Sequence, residues 1–209
     1  MKTIKNVFEI YKQRLNTIYD APETEAITLT VLTELLNTSK GIIKAFPEKE
    51  LSLTQQEEAN NILNQLQTGK PLQYVLGYTE FYGLKFLVNP ATLIPRPETE
   101  ELVEWALSEV AVAGSVAGFN ILDIGTGTGC IAISLKKNLP QAQVSAIDIS
   151  AVALKTAKQN AELNEVDVNF IEANIIKSQT NSLLNTQYSI LISNPPTLRL
   201  MIKSACTPM

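Results

Sequence analysis

The run Ile121-Leu122-Asp123-Ile124-Gly125-Thr126-Gly127-Thr128-Gly129 decides the fold of this 209-residue chain. Its first half is a short apolar run of the kind that forms a buried strand, and its second half holds three glycines in five residues. Glycine permits a tight turn and lets a ligand approach the backbone closely. The run therefore predicts a strand, a ligand-binding turn and then a helix.

The segments after this run continue the alternation of strand and helix patterns. Strands are predicted at 120–124, 143–149, 168–172 and 188–193, and helices at 128–137 and 151–163. Such alternation is typical of a parallel sheet with helices on its faces. We therefore expect a Rossmann-like α/β domain.

The spacing of the glycines distinguishes between kinds of nucleotide-binding loop. A P-loop would continue with Gly-Lys-Ser or Gly-Lys-Thr, and a dinucleotide loop would need a glycine where Cys130 stands. Asp123, two residues before the first glycine, would repel a pyrophosphate and would suit an ammonium or sulfonium group. The spacing resembles the glycine loop of class I S-adenosylmethionine-dependent methyltransferases. The candidate cofactor residues of the loop are Asp123, Gly125, Thr126, Gly127, Thr128 and Gly129.

Two further candidate cofactor residues follow the next strands. Asp148 ends the second strand, about 20 residues after the glycine loop, where a carboxylate can accept both hydroxyls of a ribose. The alternative role for Asp148 is a helix N-cap, which Ser150 fills better. Asn174 follows the third strand and is either an adenine contact or an ordinary turn residue.

The motif Asn194-Pro195-Pro196 follows the fourth predicted strand. Two prolines fix the backbone and remove two donors, so the Asn194 side-chain oxygen and the Pro195 carbonyl can point together into a cleft. Two acceptors at a fixed spacing suit an NH₂ group, and they would hold its nitrogen for methyl transfer through proximity and electrostatics. The alternative is a proline-rich loop without a function.

Composition excludes several other classes of function. The chain has no histidine, which excludes histidine bases, triads with histidine and histidine-ligated zinc, and we expect no metal site. A net charge of −4 argues against direct nucleic-acid binding. Two cysteines, Cys130 and Cys206, fit a reduced cytoplasmic setting, and we expect neither a signal peptide nor a membrane span.

The rest of the chain divides into distinct segments. We predict a helical N-terminal domain at 1–72, a β-hairpin with a connecting loop at 73–97, and the methyltransferase domain at 98–196. Within the first segment, helical spacing of apolar residues predicts three helices, the third beginning at Ser52 or Thr54.

Five motifs, in their order and spacing, resemble the PrmC/HemK family of release-factor glutamine methyltransferases. The glycine loop is generic to methyltransferases, whereas the segments before it are much more specific. The motifs are Pro71-Leu-Gln-Tyr-Val-Leu-Gly77, Glu80-Phe-Tyr-Gly83, Leu93-Ile-Pro-Arg-Pro-Glu-Thr-Glu100, the glycine loop and Asn194-Pro-Pro196.

The resemblance implies S-adenosylmethionine-dependent N5-methylation of the glutamine in the Gly-Gly-Gln motif of class-1 peptide release factors. It implies that the helical domain helps to bind the release factor, and that the complete enzyme is a cytoplasmic monomer. It places Asn194 against both the cofactor and the substrate amide, has Pro195 and Pro196 shape the amide site, and puts Arg96 in a loop near the cleft.

The chain departs from the family after Pro196. The family continues with tyrosine, where this chain has Thr197, and then with three further strands. Residues 197–209 resemble nothing in the family, and we expect them to be an aberrant tail produced by a frameshift. The sheet would then be incomplete, its first four strands present, with an exposed apolar edge at 188–193 and impaired activity.

Two other functions are consistent with the motifs. One is methylation of adenine N6 or of another nucleic-acid amine, since Asn-Pro-Pro-Tyr motifs also bind exocyclic amines; the charge and the missing aromatic residue at 197 count against it. The other is an inactive fragment that only binds the cofactor or a partner.

Overall fold

The computed structural model describes residues 1–112, 118–175 and 187–195. The chain divides into two units, Met1–Tyr78 and the part that begins at Thr79. Pro196 and the predicted tail at 197–209 lie outside the described residues, so the expectations about them stay predictions. None of the described helices is long and apolar enough to cross a membrane.

The first unit is helical. Side-chain caps begin its four longer helices: Thr3, Asp20, Ser39 and Ser52 each accept a hydrogen bond from a backbone N–H of the first turn. The helices are α1 (Ile4–Leu15), α2 (Ala21–Leu36), α3 (Lys40–Ala45), α4 (Leu53–Leu66) and α5 (Leu72–Leu76). Ser52 and Gln55 form a capping box, so Ser52 is the N-cap of the third predicted helix, whose first helical residue is Leu53. The short α3 is not predicted from the sequence.

One apolar face from each long helix forms the core of this unit. Leu15, Leu32 and Leu63, from α1, α2 and α4, are fully buried in it. Tyr11 is buried as well, and its hydroxyl donates a hydrogen bond to the Ala59 carbonyl at 2.8 Å. Burial raises the pKa of Tyr11 strongly, so this hydroxyl stays protonated.

The predicted hairpin starts later than the sequence pattern indicates. Residues 74–76 were expected to open a strand, and instead belong to α5, which Gly77 ends in the left-handed conformation at φ +81°. Aromatic and branched residues suit a strand, but here Leu72, Val75 and Leu76 pack against the helical core of the first unit, and tertiary packing overrides propensity. The hairpin consists of β1 (Tyr78–Phe81) and β2 (Leu84–Leu87).

The second unit contains the predicted parallel sheet. Its helices are a 3₁₀ turn, η1 (Pro97–Thr99), then α6 (Glu100–Val112), α7 (Cys130–Asn138) and α8 (Ala151–Leu163). Its strands are β3 (Asn120–Ile124), β4 (Gln143–Asp148), β5 (Asn169–Glu172) and β6 (Ile190–Ser193). These described strands are all parallel and lie in the order β5-β4-β3-β6, which confirms the expected four-stranded Rossmann-like sheet.

The interior of the second unit lies where α7 covers the sheet. Ile121 from β3, Ala146 from β4 and Ile133 from α7 are buried at its centre. Two aromatic residues of the hairpin, Phe81 and Phe86, join this core edge to face with ring centroids 6.0 Å apart. The hairpin is therefore part of the same packed unit as the sheet.

Asn160 of α8 connects the hairpin with the glycine loop. Its Oδ1 accepts from the Leu87 N–H at 2.6 Å, while its Nδ2 donates to the Leu87 carbonyl at 3.1 Å and to the Thr128 carbonyl at 2.9 Å. The side chain is fully buried. One turn later, Asn164 donates to the Lys85 carbonyl at 2.9 Å. Helix α8 thus supplies β2 with partners that a neighbouring strand would otherwise provide.

We expect Asn160→Leu to lower the free energy of unfolding by about 3 kcal/mol, because it leaves the buried Thr128 carbonyl and the partly buried N–H and carbonyl of Leu87 without these partners. Asn60→Leu is the matched control, since Asn60 is exposed and bonds only within its own helix to Gln56; its effect should stay within about 0.5 kcal/mol. Urea denaturation of both variants checks this, and equal losses would contradict it.

Candidate active site

A cleft of about 950 Å³ lies at the carboxyl ends of β3, β4 and β6. This is the edge at which open α/β sheets bind ligands. Most of the residues predicted from the sequence line it: Gly125, Thr126, Gly127, Thr128, Asp148, Asn174, Asn194, Pro195 and Arg96. The structure therefore brings the predicted cofactor residues and the predicted acceptor residues to one surface.

The backbone of the glycine loop is exposed to the cleft. Gly125 and Gly127 have positive φ angles of +76° and +56°, and a Cβ at either position would meet open space. Gly129 differs, because a Cβ there would lie 2.9 Å from the Ile133 side chain and 3.1 Å from that of Ala157. The first two glycines leave room for a ligand against the backbone, and the third allows α7 and α8 to pack closely.

The loop is bonded to the end of β4. The N–H groups of Gly125 and Thr126 donate to the Ile147 carbonyl at 2.8 and 3.0 Å, and that of Gly127 donates to Asp148 Oδ2 at 2.9 Å. Because Gly129 adopts φ +81°, helix α7 begins only at Cys130, two residues later than predicted. The loop is consequently fixed before any ligand arrives.

Asp148 has capacity left for a ligand. Each carboxylate oxygen accepts one backbone N–H, Oδ2 from Gly127 and Oδ1 from Ser150 at 2.9 Å, and each can accept a further hydrogen bond. Ser150 caps α8 with its own hydroxyl, as the sequence suggests. A carboxylate held on both sides at a strand end is suited to a pair of neighbouring hydroxyls, as a ribose offers.

Asp123 lies beneath the glycine loop rather than on the surface of the cleft. It is 1% exposed, and its Oδ2 accepts from the Thr126 hydroxyl at 2.6 Å. Burial raises the pKa of this carboxyl to about 6, against the effect of the Thr126 hydrogen bond. The structure therefore shows Asp123 supporting the loop, and its direct contact with a cofactor stays a prediction. Gly129 is likewise absent from the lining of the cleft.

The acceptor segment is anchored by two side chains at the end of β6. The Ser193 hydroxyl donates to the Ile124 carbonyl at 2.8 Å, and Asn194 Nδ2 donates to the Thr99 hydroxyl at 2.8 Å. Pro195 follows and lines the cleft, whereas Pro196 lies outside the described residues. The two predicted acceptors, the Asn194 amide and the Pro195 carbonyl, thus belong to a segment at the edge of the cleft.

Two residues that line the cleft were not singled out from the sequence. Thr99 is the residue that Asn194 contacts, and its only signal was its place in the Pro-Glu-Thr-Glu segment. Ile149 is 67% exposed and directly follows Asp148. A large apolar side chain left exposed beside the cleft indicates a contact for an apolar group of a ligand. No sequence signal marked Ile149, because the predicted strand 143–149 included it, whereas β4 ends at Asp148.

Two family models match the chain. The model of the PrmC N-terminal domain matches residues 7–77, and that of the Methyltransferase small domain matches residues 107–203. A solved tRNA (uracil-54, C5)-methyltransferase of Pyrococcus abyssi, in complex with S-adenosyl-L-homocysteine, is 25% identical with a TM-score of 0.44, covering 57% of this chain and 28% of its own.

Curated relatives are similar over most of the chain. The release factor glutamine methyltransferase of Flavobacterium psychrophilum is 47% identical over 94% of this chain, and that of Bacteroides thetaiotaomicron is 41% identical over 88%. The chain spans 68% and 64% of the lengths of these two relatives.

The parallel sheet, its glycine loop and the cleft define a class I methyltransferase of the S-adenosylmethionine-dependent type. Within that class, the match of the first unit to the PrmC N-terminal domain and the similarity to the curated relatives identify the family. The chain belongs to the release factor glutamine methyltransferase family, which confirms the resemblance found in the sequence.

Asp123→Asn tests whether the buried carboxyl destabilises the fold at neutral pH. Since the unfolded chain ionises this group near pH 3.8 and the folded chain only near pH 6, rising pH favours unfolding. The free energy of unfolding of the wild-type chain should fall relative to that of the variant by about 3 kcal/mol between about pH 3 and pH 7. Urea titrations across this range measure the difference, and parallel pH profiles would show the prediction to be wrong.

Proposed function

We propose that this chain binds S-adenosylmethionine and transfers its methyl group to the side-chain amide nitrogen of a glutamine in a class-1 peptide release factor. One observation carries the proposal: the glycine loop, Asp148 and the Asn194-Pro195 segment line the same cleft. The first two suit a nucleoside cofactor, and the third suits a primary amide. Membership of the family supports the glutamine of the Gly-Gly-Gln motif as the target.

The donor set of the cleft fits the cofactor. The open backbone at Gly125 and Gly127 would receive its amino-acid portion, Asp148 its ribose hydroxyls, and Ile149 with Asn174 its adenine. When bound, S-adenosylmethionine supplies an electrophilic methyl group on a sulfonium. The residues of this chain contribute by binding and by orientation, since the loop is already bonded to β4.

An amide nitrogen is a poor nucleophile, and the acceptor residues would compensate for this by orienting it. Its lone pair is delocalised into the carbonyl, so the amide must be held with that lone pair directed at the methyl group. Asn194 Oδ1 and the Pro195 carbonyl are acceptors that would take the two N–H bonds of such an amide. We assign proximity and hydrogen bonding as the catalytic contributions of these residues. From the family resemblance we extend the substrate-binding role to Pro196, and to Arg96, which lines the cleft.

The partner follows from the reaction. We propose that the release factor is the macromolecular substrate, that a single copy of the chain acts on it without nucleic acid or membrane, and that the reaction takes place in the cytoplasm. The sequence has a net charge of −4, which supports a protein rather than a nucleic-acid substrate.

Radiolabelled S-adenosylmethionine, supplied with a class-1 release factor, tests the reaction directly. We expect label on the release factor and none on a release factor whose Gly-Gly-Gln glutamine is replaced by alanine. Single-stranded and duplex DNA serve as competing substrates. Label on DNA, or equal labelling of the alanine-substituted factor, would contradict the proposal.

Asp148→Asn tests the cofactor site separately from turnover. We expect the Kd for S-adenosylmethionine to rise about tenfold or more, because the variant loses charged acceptors for both the ribose and the Gly127 N–H. Asp167→Asn is the matched control, since Asp167 is exposed and lies outside the cleft. Calorimetry compares the two variants, and an equal affinity would remove Asp148 from the site.

A further inference from the structure

Asn194 is joined to a segment 95 residues earlier in the chain. Its Nδ2 donates to the Thr99 hydroxyl at 2.8 Å, and both residues line the cleft. Asn194 itself is exposed, whereas Thr99 is only 6% exposed. The hydrogen bond therefore joins an exposed side chain, whose terminal torsion is broad, to a buried residue.

The position of Thr99 is set by several bonds of its own segment. Its N–H donates to the Arg96 carbonyl at 3.0 Å, which closes the 3₁₀ turn that opens at Pro97. The next residue, Glu100, accepts from the Tyr82 N–H at 2.8 Å and so ties this turn to the hairpin. The backbone at Thr99 is thus fixed within its turn, and the turn is bonded to the hairpin through Glu100.

The contact decides which way the Asn194 oxygen points. The terminal torsion of asparagine is broad, so an exposed carboxamide samples many orientations unless a hydrogen bond selects one. Oxygen and nitrogen share one carbon in a plane, and fixing Nδ2 therefore fixes Oδ1 as well. Oδ1 is the atom that the proposed function requires as an acceptor for the substrate amide.

We propose that Thr99 is a positioning residue that orients the Asn194 carboxamide for the substrate amide. The role in turnover rests on the proposed function, whereas the orientation itself is a property of the protein alone. Thr99 acts through Asn194 and needs no contact with the substrate.

Thr99→Val and Thr99→Ser separate the hydroxyl from the shape of the side chain. Thr99→Val keeps the volume and removes the hydroxyl, and Thr99→Ser keeps the hydroxyl. Thr30→Val is the matched control, because the Thr30 hydroxyl donates to the Ala26 carbonyl within α2 of the other unit. Calorimetry with S-adenosylmethionine should give a Kd within about twofold of wild type for Thr99→Ser and Thr30→Val. In Thr99→Val the Kd should rise by no more than about tenfold, since Asp148 and the glycine loop are unchanged and only the orientation of Asn194 is lost.

The orientation is read without turnover from the side-chain amide signals of a ¹⁵N-asparagine-labelled chain, with the Asn194 signals assigned by Asn194→Gln. We expect these signals to shift and to lose protection from hydrogen exchange in Thr99→Val, and to stay near wild type in Thr99→Ser and Thr30→Val. Unchanged Asn194 signals in Thr99→Val would overturn the proposal.

Turnover on the release factor supplies the second readout. At saturating cofactor we expect kcat to fall about 3- to 10-fold in Thr99→Val and to recover in Thr99→Ser. Altered signals with an unchanged kcat would also overturn the positioning role. If the wild-type chain labels no release factor while the signals respond as expected, the proposed function fails and the orientation by Thr99 stands.

Discussion

The parallel pairing of β3 with β4 is the constraint on which the candidate site depends. It places the carboxyl ends of both strands at one edge, so the chain that leaves Ile124 turns directly beside Ile147 and Asp148. There the N–H groups of the loop donate hydrogen bonds to the Ile147 carbonyl and the Asp148 carboxylate. A loop that satisfies its backbone in this way can use small residues and leave its outer surface open to a ligand.

Side chains of α7 and α8 also support the glycine loop, in addition to its bonds to β4. The Thr128 carbonyl accepts a hydrogen bond from the Asn160 side chain, and the missing side chain at Gly129 allows α8 to pack closely against α7. Asn160 also takes both backbone groups of Leu87. Because a single buried carboxamide serves the hairpin and the loop at once, a displacement of either would leave polar groups of the other without partners. The hairpin is therefore a structural part of the cofactor site although it contributes no residue to the cleft.

Much of the fold follows from local sequence patterns. Apolar runs, glycines and caps predict β3, β4 and α8 closely, because their signals lie within the elements themselves. The errors arise where distant packing decides, as for residues 74–76, which join the helical core of the first unit. The roles of Asp148 and Asn194 were inferred from their positions at strand ends. The position of Asp123 under the loop depends on the direction of its side chain, which no local pattern encodes. The contact of Thr99 with Asn194 joins residues separated by about half of the chain, which no local pattern encodes either.

The two halves of the cleft differ in how they are assembled. The candidate cofactor half comes from residues close in sequence to β3 and β4, and its glycine loop is held by hydrogen bonds to the end of β4. The acceptor half depends on two single hydrogen bonds between separate segments: Asn194 bonds to Thr99 within the cleft, and Glu100, next to Thr99, bonds to Tyr82 in the hairpin turn outside it. A displacement of one segment would break its hydrogen bond to the next, so the positions of the segments depend on one another. The segments at 80–83 and 93–100, by which the sequence resembles the family, therefore take part in one connected arrangement beside Asn194.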